Sequence, residues 1–264
     1  MKKLHFVIIG AHPDDPDGAC GGLAKLMRLK GHDVTLVSAT DGSAGHHEMD
    51  RAPLAERRLE ETKQAGKALD CPYIVLPIPD GALTASLENR AAMLKLIREL
   101  NPDVIITHRT CDYHPDHRAT GQLVMDCSYL LGVPLCCPDV PAMRKTPVIL
   151  SAYDGFTVPR PFRADVCVRV DETIDSRVEA MLCHVSQYFE WLPWCDHWDA
   201  VAAAPTMEEK RSLLYAQEKN YAARVASKYA DRLPEGTQYA EAYEWNEYGA
   251  PLTDELIREM TEPV

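Results

Sequence analysis

The chain predicts a doubly wound α/β fold built on a mostly parallel sheet with helices on both faces, and three observations carry that prediction. Apolar runs of strand length alternate with segments of helical spacing over the first half of the chain. The runs are apolar at nearly every position rather than at every second one, as in strands covered on both faces. Short connections bearing Gly or Asp join them, which makes successive strands parallel and places a ligand site at their carboxyl ends.

Leu4 to Ala11 is the first apolar run. Asp17 to Lys30 follows, with Leu23, Leu26, Met27 and Leu29 at helical spacing and Gly31 as the stop. A second strand begins at Asp33 (DVTLVSATDG), a helix covers Leu54 to Leu69, and a third strand begins at Tyr73 (YIVLPIPDG). A helix over Ala85 to Leu100 and a fourth strand from Asp103 (DVIITHR) complete the alternation. The Pro-rich stretch GVPLCCPDVPAMRKTP around Val133 reads as a long excursion. Strands at Val148 to Tyr153 and Val166 to Val170 and a helix from about Glu172 to Tyr188 come next. The last seventy residues read as helical apart from a short strand near QYAEAYEW.

At 264 residues the chain fits one domain, 1–264, with a mainly helical C-terminal extension from about 190; no repeat or flexible linker divides it. The 28 Lys and Arg against 40 Asp and Glu leave a net charge of -12, which repels phosphate backbones and anionic lipid, so neither nucleic acid nor membrane is expected as a partner. Nine Cys without a CxxC pair fit a reducing compartment. The opening MKKLHFVIIGAHPDD imitates a secretory signal, but His5 interrupts its apolar run and His12, Asp14 and Asp15 follow at once, so a buried first strand is the expectation. No segment approaches the roughly 18 apolar residues of a membrane span, and a cytoplasmic location is expected.

AHPDD ends the first strand, TDGSAG the second and HRTCDYHPDH the fourth, so three polar clusters share one sheet edge. His12 and Asp15 are three apart in a tight turn. His114 and His117 are also three apart, on one face of a helix opened by HPDH. Two His and one carboxylate from different loops can complete an open metal site of zinc type. The alternative is a pair of solvated turns with Pro for the bend and Asp as cap, and the shared edge favours the metal site. His5, His32, His46, His47, His108 and His197 have no partner at ligand spacing and receive no role.

AHPDD after the first strand, paired with HPDH after the fourth, resembles the LmbE/PIG-L family of zinc-dependent N-deacetylases. The resemblance continues through RRLEETKQAGKALD and through CHVSQYFEWLPW and EAYEWNEYG, which are similar to a bacterial branch of unassigned substrate. It implies a Rossmann-like fold and removal of the acetyl group from an N-acetylglucosamine-type amino sugar or conjugate, in a homo-oligomer. Carried over by position, it implies one Zn2+ per chain on His12, Asp15 and His117, with Fe2+ among the other divalent ions possible. Asp14 would be the general base, His114 in imidazolium form the oxyanion partner, and Asp116 the group that orients His114 and keeps it protonated. Arg58, rather than Arg57, is carried over as a substrate contact, with His184 and Gln187 lining the pocket. Asp17 stands one position later than the acidic residue of the commonest motif, after Pro16, and is read as a helix cap.

Three rival readings compete with this one. A phosphate-binding module lacks its Gly-rich loop and would meet an acidic turn. A non-haem iron oxygenase uses the same two-His-one-carboxylate set. A sugar-binding protein without catalysis does not explain Asp14 beside the ligands. A hydrolase acting on a different N-acyl amide also stays open.

Overall fold

The computed structural model describes residues 2–263. Seven strands form one sheet in the order β3-β2-β1-β4-β5-β7-β6, and the doubly wound α/β fold is present. β1 (His5–Gly10), α1 (Asp15–Leu29), β2 (Asp33–Ser38), α2 (Arg51–Leu69), β3 (Tyr73–Val75), α3 (Leu87–Leu100), β4 (Val104–Thr107) and α4 (Pro115–Leu130) follow the predicted alternation. β3 keeps three residues of its apolar run, because Pro77 and Pro79 remove ladder donors beyond it. α3 begins at the Ser86 cap, whose hydroxyl accepts from Asn89 N at 3.1 Å.

β1 shows why the runs are apolar throughout. Phe6 and Ile8 face a core layer with Leu23 and Met27 of α1 and Leu69 of α2. Val7 and Ile9 face the opposite layer with Met93 and Ile97 of α3 and Val124 of α4. β1 pairs in parallel with β2 on one side and β4 on the other. The order therefore reverses between β1 and β4, and the loops after these two strands flank the switch point where doubly wound sheets bind ligands.

Two elements depart from the sequence reading. β5 (Val148–Ala152) and β6 (Val166–Arg169) are separated in the sheet by β7 (Ala240–Asn246), seven residues long and antiparallel to both. The short strand read near QYAEAYEW is β7, and its alternation is weakened by Glu241, which is buried. The Glu241 carboxylate accepts from Gly22 N at 2.8 Å, Leu23 N at 2.9 Å and Tyr243 Oη at 2.6 Å, which satisfies a charge inside the fold.

The helix expected over Glu172 to Tyr188 is broken into α5 (Ile174–Met181) and a π-helical turn over Ser186–Trp191. Glu61 of α2 causes the break by accepting from Ser186 N at 2.8 Å and Ser186 Oγ at 2.6 Å, so a new segment starts there. α6 (Leu192–Cys195), α7 (Asp199–Ala203), α8 (Met207–Lys228) and α9 (Asp254–Thr261) make up the helical remainder. No helix among the described residues is long and apolar enough to cross a membrane.

Candidate active site

The turn after β1 folds tightly enough to aim two carboxylates in different directions. Asp14 N and Asp15 N both donate to His12 O, at 2.9 and 3.2 Å. Asp15 Oδ2 accepts from Ala11 N at 2.9 Å and His12 N at 2.7 Å. Gly10 permits the close return of the chain, since a Cβ there would lie 2.5 Å from Asp15 Cβ and 2.7 Å from Pro16 Cδ. After β4, His114 becomes the N-cap of α4, and His117 turns inward one helical turn later.

Across the switch point His12 Nδ1, Asp15 Oδ2 and His117 Nε2 form a triangle. Its edges are 3.3 Å (His12 to Asp15), 3.4 Å (His117 to Asp15) and 3.3 Å (His12 to His117). A tetrahedral ion with ligands at 2.0–2.1 Å has ligand-to-ligand edges of about 3.3–3.4 Å. The other ring nitrogens face carboxylates: His12 Nε2 lies 3.2 Å from Asp80 Oδ1 and 3.5 Å from Asp116 Oδ2, and His117 Nδ1 lies 3.1 Å from Asp112 Oδ1. A proton on each of those outer nitrogens would leave an unprotonated nitrogen facing Asp15, the arrangement that metal-binding imidazoles adopt.

The charges agree with the geometry. Burial alone would lower the pKa of His12, yet the carboxylates of Asp116, Asp15 and Asp80 hold it well above the ordinary imidazole value. Burial would raise Asp15, but His117 and His108 hold its carboxylate well below the usual range. The two imidazoles and the carboxylate, 3.3–3.4 Å apart, are donors that fit a divalent ion.

Asp14 stands beside the triangle. Burial pushes its pKa up to about 6, against the Arg58 guanidinium that lowers it. Arg58, 2% exposed, donates from Nη2 to Pro13 O at 2.8 Å and Asp14 Oδ1 at 3.0 Å, and from Nη1 to Gly42 O at 3.2 Å. Arg58 lines the cavity as well, and its guanidinium, engaged with Pro13, Gly42 and Asp14, is placed to position Asp14. Arg57 instead pairs with Glu190, at 2.7 Å from each terminal nitrogen.

Arg58→Met is therefore expected to act on Asp14. Without the neighbouring positive charge Asp14 ionises at higher pH, so the acid limb of kcat/KM moves upward by about one unit or more while KM holds. A pH profile of the variant measures this, and a raised KM with an unmoved limb would restore the substrate-contact role.

Other expectations change too. Asp116 does not hold His114: its Oδ2 accepts from Gly81 N at 2.7 Å and faces His12, while its backbone N donates to His114 Nδ1 at 3.2 Å. His114 is not held as imidazolium, since burial and the neighbouring His12 and His117 lower its pKa. With Nδ1 accepting, the neutral ring carries its proton on Nε2, and the ring meets His12 edge-on at 4.5 Å.

His184 does not line the cavity. It is fully buried, with Nε2 3.1 and 3.2 Å from the two carboxylate oxygens of Asp17, itself fully buried, so Asp17 binds His184 instead of capping α1. Gln187 does line the cavity and donates to Gly45 O at 3.0 Å.

Three further residues join the site. Asp80 and Asp112 lie beside the outer nitrogens, at 3.2 and 3.1 Å, and His108 stacks on His117 at 4.1 Å with Nε2 3.2 Å from Asp15 Oδ2. Asp80, in IPDG, closes the third strand at the same sheet edge and could have been found by extending that argument. His108 has no local signal.

These features define an α/β protein with a His/Asp cluster able to hold a divalent cation beside a carboxylate. Residues 7–128, which span β1 to α4, match the sequence family described as "PIG-L: GlcNAc-PI de-N-acetylase", so this stretch carries the PIG-L (LmbE) family signature.

The chain is 32% identical over 136 residues to the "Probable N-acetyl-alpha-D-glucosaminyl L-malate deacetylase 2" of Bacillus subtilis, covering 48% of this chain and 62% of that protein. It is 29% identical over 164 residues to the "1D-myo-inositol 2-acetamido-2-deoxy-alpha-D-glucopyranoside deacetylase 1" of Catenulispora acidiphila, covering 51% of each. The matches thus span between half and two thirds of these relatives.

The fold is shared with N,N'-diacetylchitobiose deacetylase from Pyrococcus horikoshii, at TM-score 0.73 and 20% identity over 92% of this chain and 84% of that one. It is also shared with GalB, the 4-carboxy-2-hydroxymuconate hydratase of Pseudomonas putida, at TM-score 0.73 and 16% identity over 96% and 99%.

Proposed function

We propose that this chain is a zinc-dependent hydrolase that removes the acetyl group from an N-acetylglucosamine-type amino sugar or its conjugate. The observation that carries the reading is the 3.3–3.4 Å triangle of His12, Asp15 and His117 with Asp14 at its side. The names of the curated relatives supply the substrate class.

A divalent ion on those three ligands supplies Lewis acidity toward water and toward the acyl oxygen. Asp14, its carboxyl raised to about 6 by burial, accepts the proton of the attacking water. His114 donates its Nε2–H toward the acyl oxygen as negative charge gathers there. Because that ring is neutral, it has no readily dissociated proton to give, and the amine leaves with the proton that Asp14 has taken. Arg58 holds Asp14 in place through the cycle.

Zinc-loaded protein incubated with a panel of N-acetylated amino sugars and conjugates is expected to release free amine. Oxygen consumption by iron-loaded protein, or hydration of an unsaturated acid with every acetamide left intact, would replace this reading. The second outcome matters because a hydratase shares the fold.

A further inference from the structure

Helix α2 grips the π-helical turn at both ends. At the first end Glu61 accepts from Ser186 N and Oγ. At the other, the two terminal nitrogens of Arg57 donate to the two oxygens of Glu190, at 2.7 Å each. Arg57 Nε lies 3.2 Å from Glu61 Oε1, so one guanidinium joins both carboxylates. Helices of π winding are rare and occur at functional sites, and here side chains from a neighbouring helix hold one in place.

Glu190 also reaches the loop between β2 and α2. His46 Nδ1 accepts from Glu48 N at 3.0 Å and Met49 N at 3.1 Å, which leaves the ring proton on Nε2, 2.9 Å from Glu190 Oε2. The loop and the turn meet twice more nearby: Gly45 O accepts from Gln187 Nε2 at 3.0 Å, and His47 stacks on Trp194 at 5.0 Å and 3°. A Cβ on Gly45 would lie 3.2 Å from Gln187 Oε1 and 3.7 Å from Trp191 Cδ1, so the two segments close on each other without a gap.

Gly45, Gln187 and Trp191 line the cavity that holds Asp14, whereas His46, Arg57 and Glu190 do not. Three polar residues behind the wall therefore hold together the segments that form it. Glu190 is the hub, because each of its oxygens is shared with Arg57 and one also with His46. A bidentate, charge-assisted pair of this kind fixes orientation as well as distance.

We propose that Glu190 is a positioning residue for substrate: through Arg57 and His46 it locks the loop after β2 to the π-helical turn, and the wall of Gly45, Gln187 and Trp191 so fixed sets how tightly the substrate is held beyond its acetamide. The proposal rests on the hydrolase reading above.

Two variants test it. Glu190→Gln keeps the shape and removes the charge; Arg57→Lys keeps the charge and removes the fork. Each is assayed, zinc-loaded, on the member of the N-acetylated amino-sugar panel that wild type cleaves best, and backbone hydrogen exchange is followed by mass spectrometry. KM is expected to rise about three- to tenfold in both variants, a range that allows for the partial exposure of the pair, with kcat within about twofold of wild type. Amides of residues 44–49 and 186–191 should exchange faster, while those of β1 and β4 keep their wild-type rates.

The proposal is overturned if KM is unmoved in the Gln variant, if kcat falls at unchanged KM, or if exchange accelerates across the sheet as well, the mark of a residue that only stabilises the fold. Failure of the hydrolase reading looks different, because wild type itself would then release amine from no member of the panel.

Discussion

Asp14→Asn is expected to lower kcat by about 10²–10⁴, the usual contribution of a positioned general base, while the protein keeps its full complement of zinc. The amide preserves shape and can still meet Arg58, but it cannot take a proton. On the proposed reading, metal ligation falls to the neighbouring carboxylate, whose Oδ2 is fixed by Ala11 N and His12 N.

The same residue sets the direction of the pH profile. Burial raises the Asp14 carboxyl to about 6, and only its ionised form can act, so activity is present above that pH and is lost as pH falls through it. A bound cation moves this limb lower, never higher, and the Asn variant should lack it. Metal analysis beside kcat checks the assignment; an Asn variant purified without zinc would transfer Asp14 to the ligand set.

The other large effect is expected at His117. His117→Ala removes one corner of the triangle, and both bound metal and activity should fall to background. Asp112→Asn should be graded, because Asp112 touches only the outer nitrogen of His117, at 3.1 Å. Groups in that position typically contribute 10- to 100-fold in metal affinity. Competition with a chelator measures both. Equal losses in the two variants would mean that Asp112 binds the ion itself, and undiminished metal in the Ala variant would remove His117 from the site.

The residues that the sequence made legible share a property: each announces itself within five positions. His12, Asp14 and Asp15 interrupt an apolar run, and His114 and His117 open a helix. The parallel strands were legible because residues buried on both faces must be apolar throughout. What stayed hidden depends on elements distant in the chain. His108 is one His at the end of β4 until the pairing of β1 with β4 sets it beside Asp15. Arg58 and His184 carry groups suited to substrate, but each is met by an internal carboxylate, Asp14 and Asp17, that no local pattern reveals. β7 reads weakly because its buried Glu241 depends on two backbone amides of α1.

The distance along the chain between the two halves of the ligand triangle has a consequence for how the protein reaches and keeps its native state. His12 and His117 are 105 residues apart, so their meeting requires closure of a long loop, and the entropy of that closure is lost before any contact there returns free energy. An ion that binds only the closed chain acts as a linked ligand of folding. At one hundred times its dissociation constant it adds about 2.7 kcal/mol, and none in its absence. On the proposed metal-dependent reading, metal supply would set survival as well as rate: a chain made under metal starvation would open more often, and quality-control proteases act on such an open population.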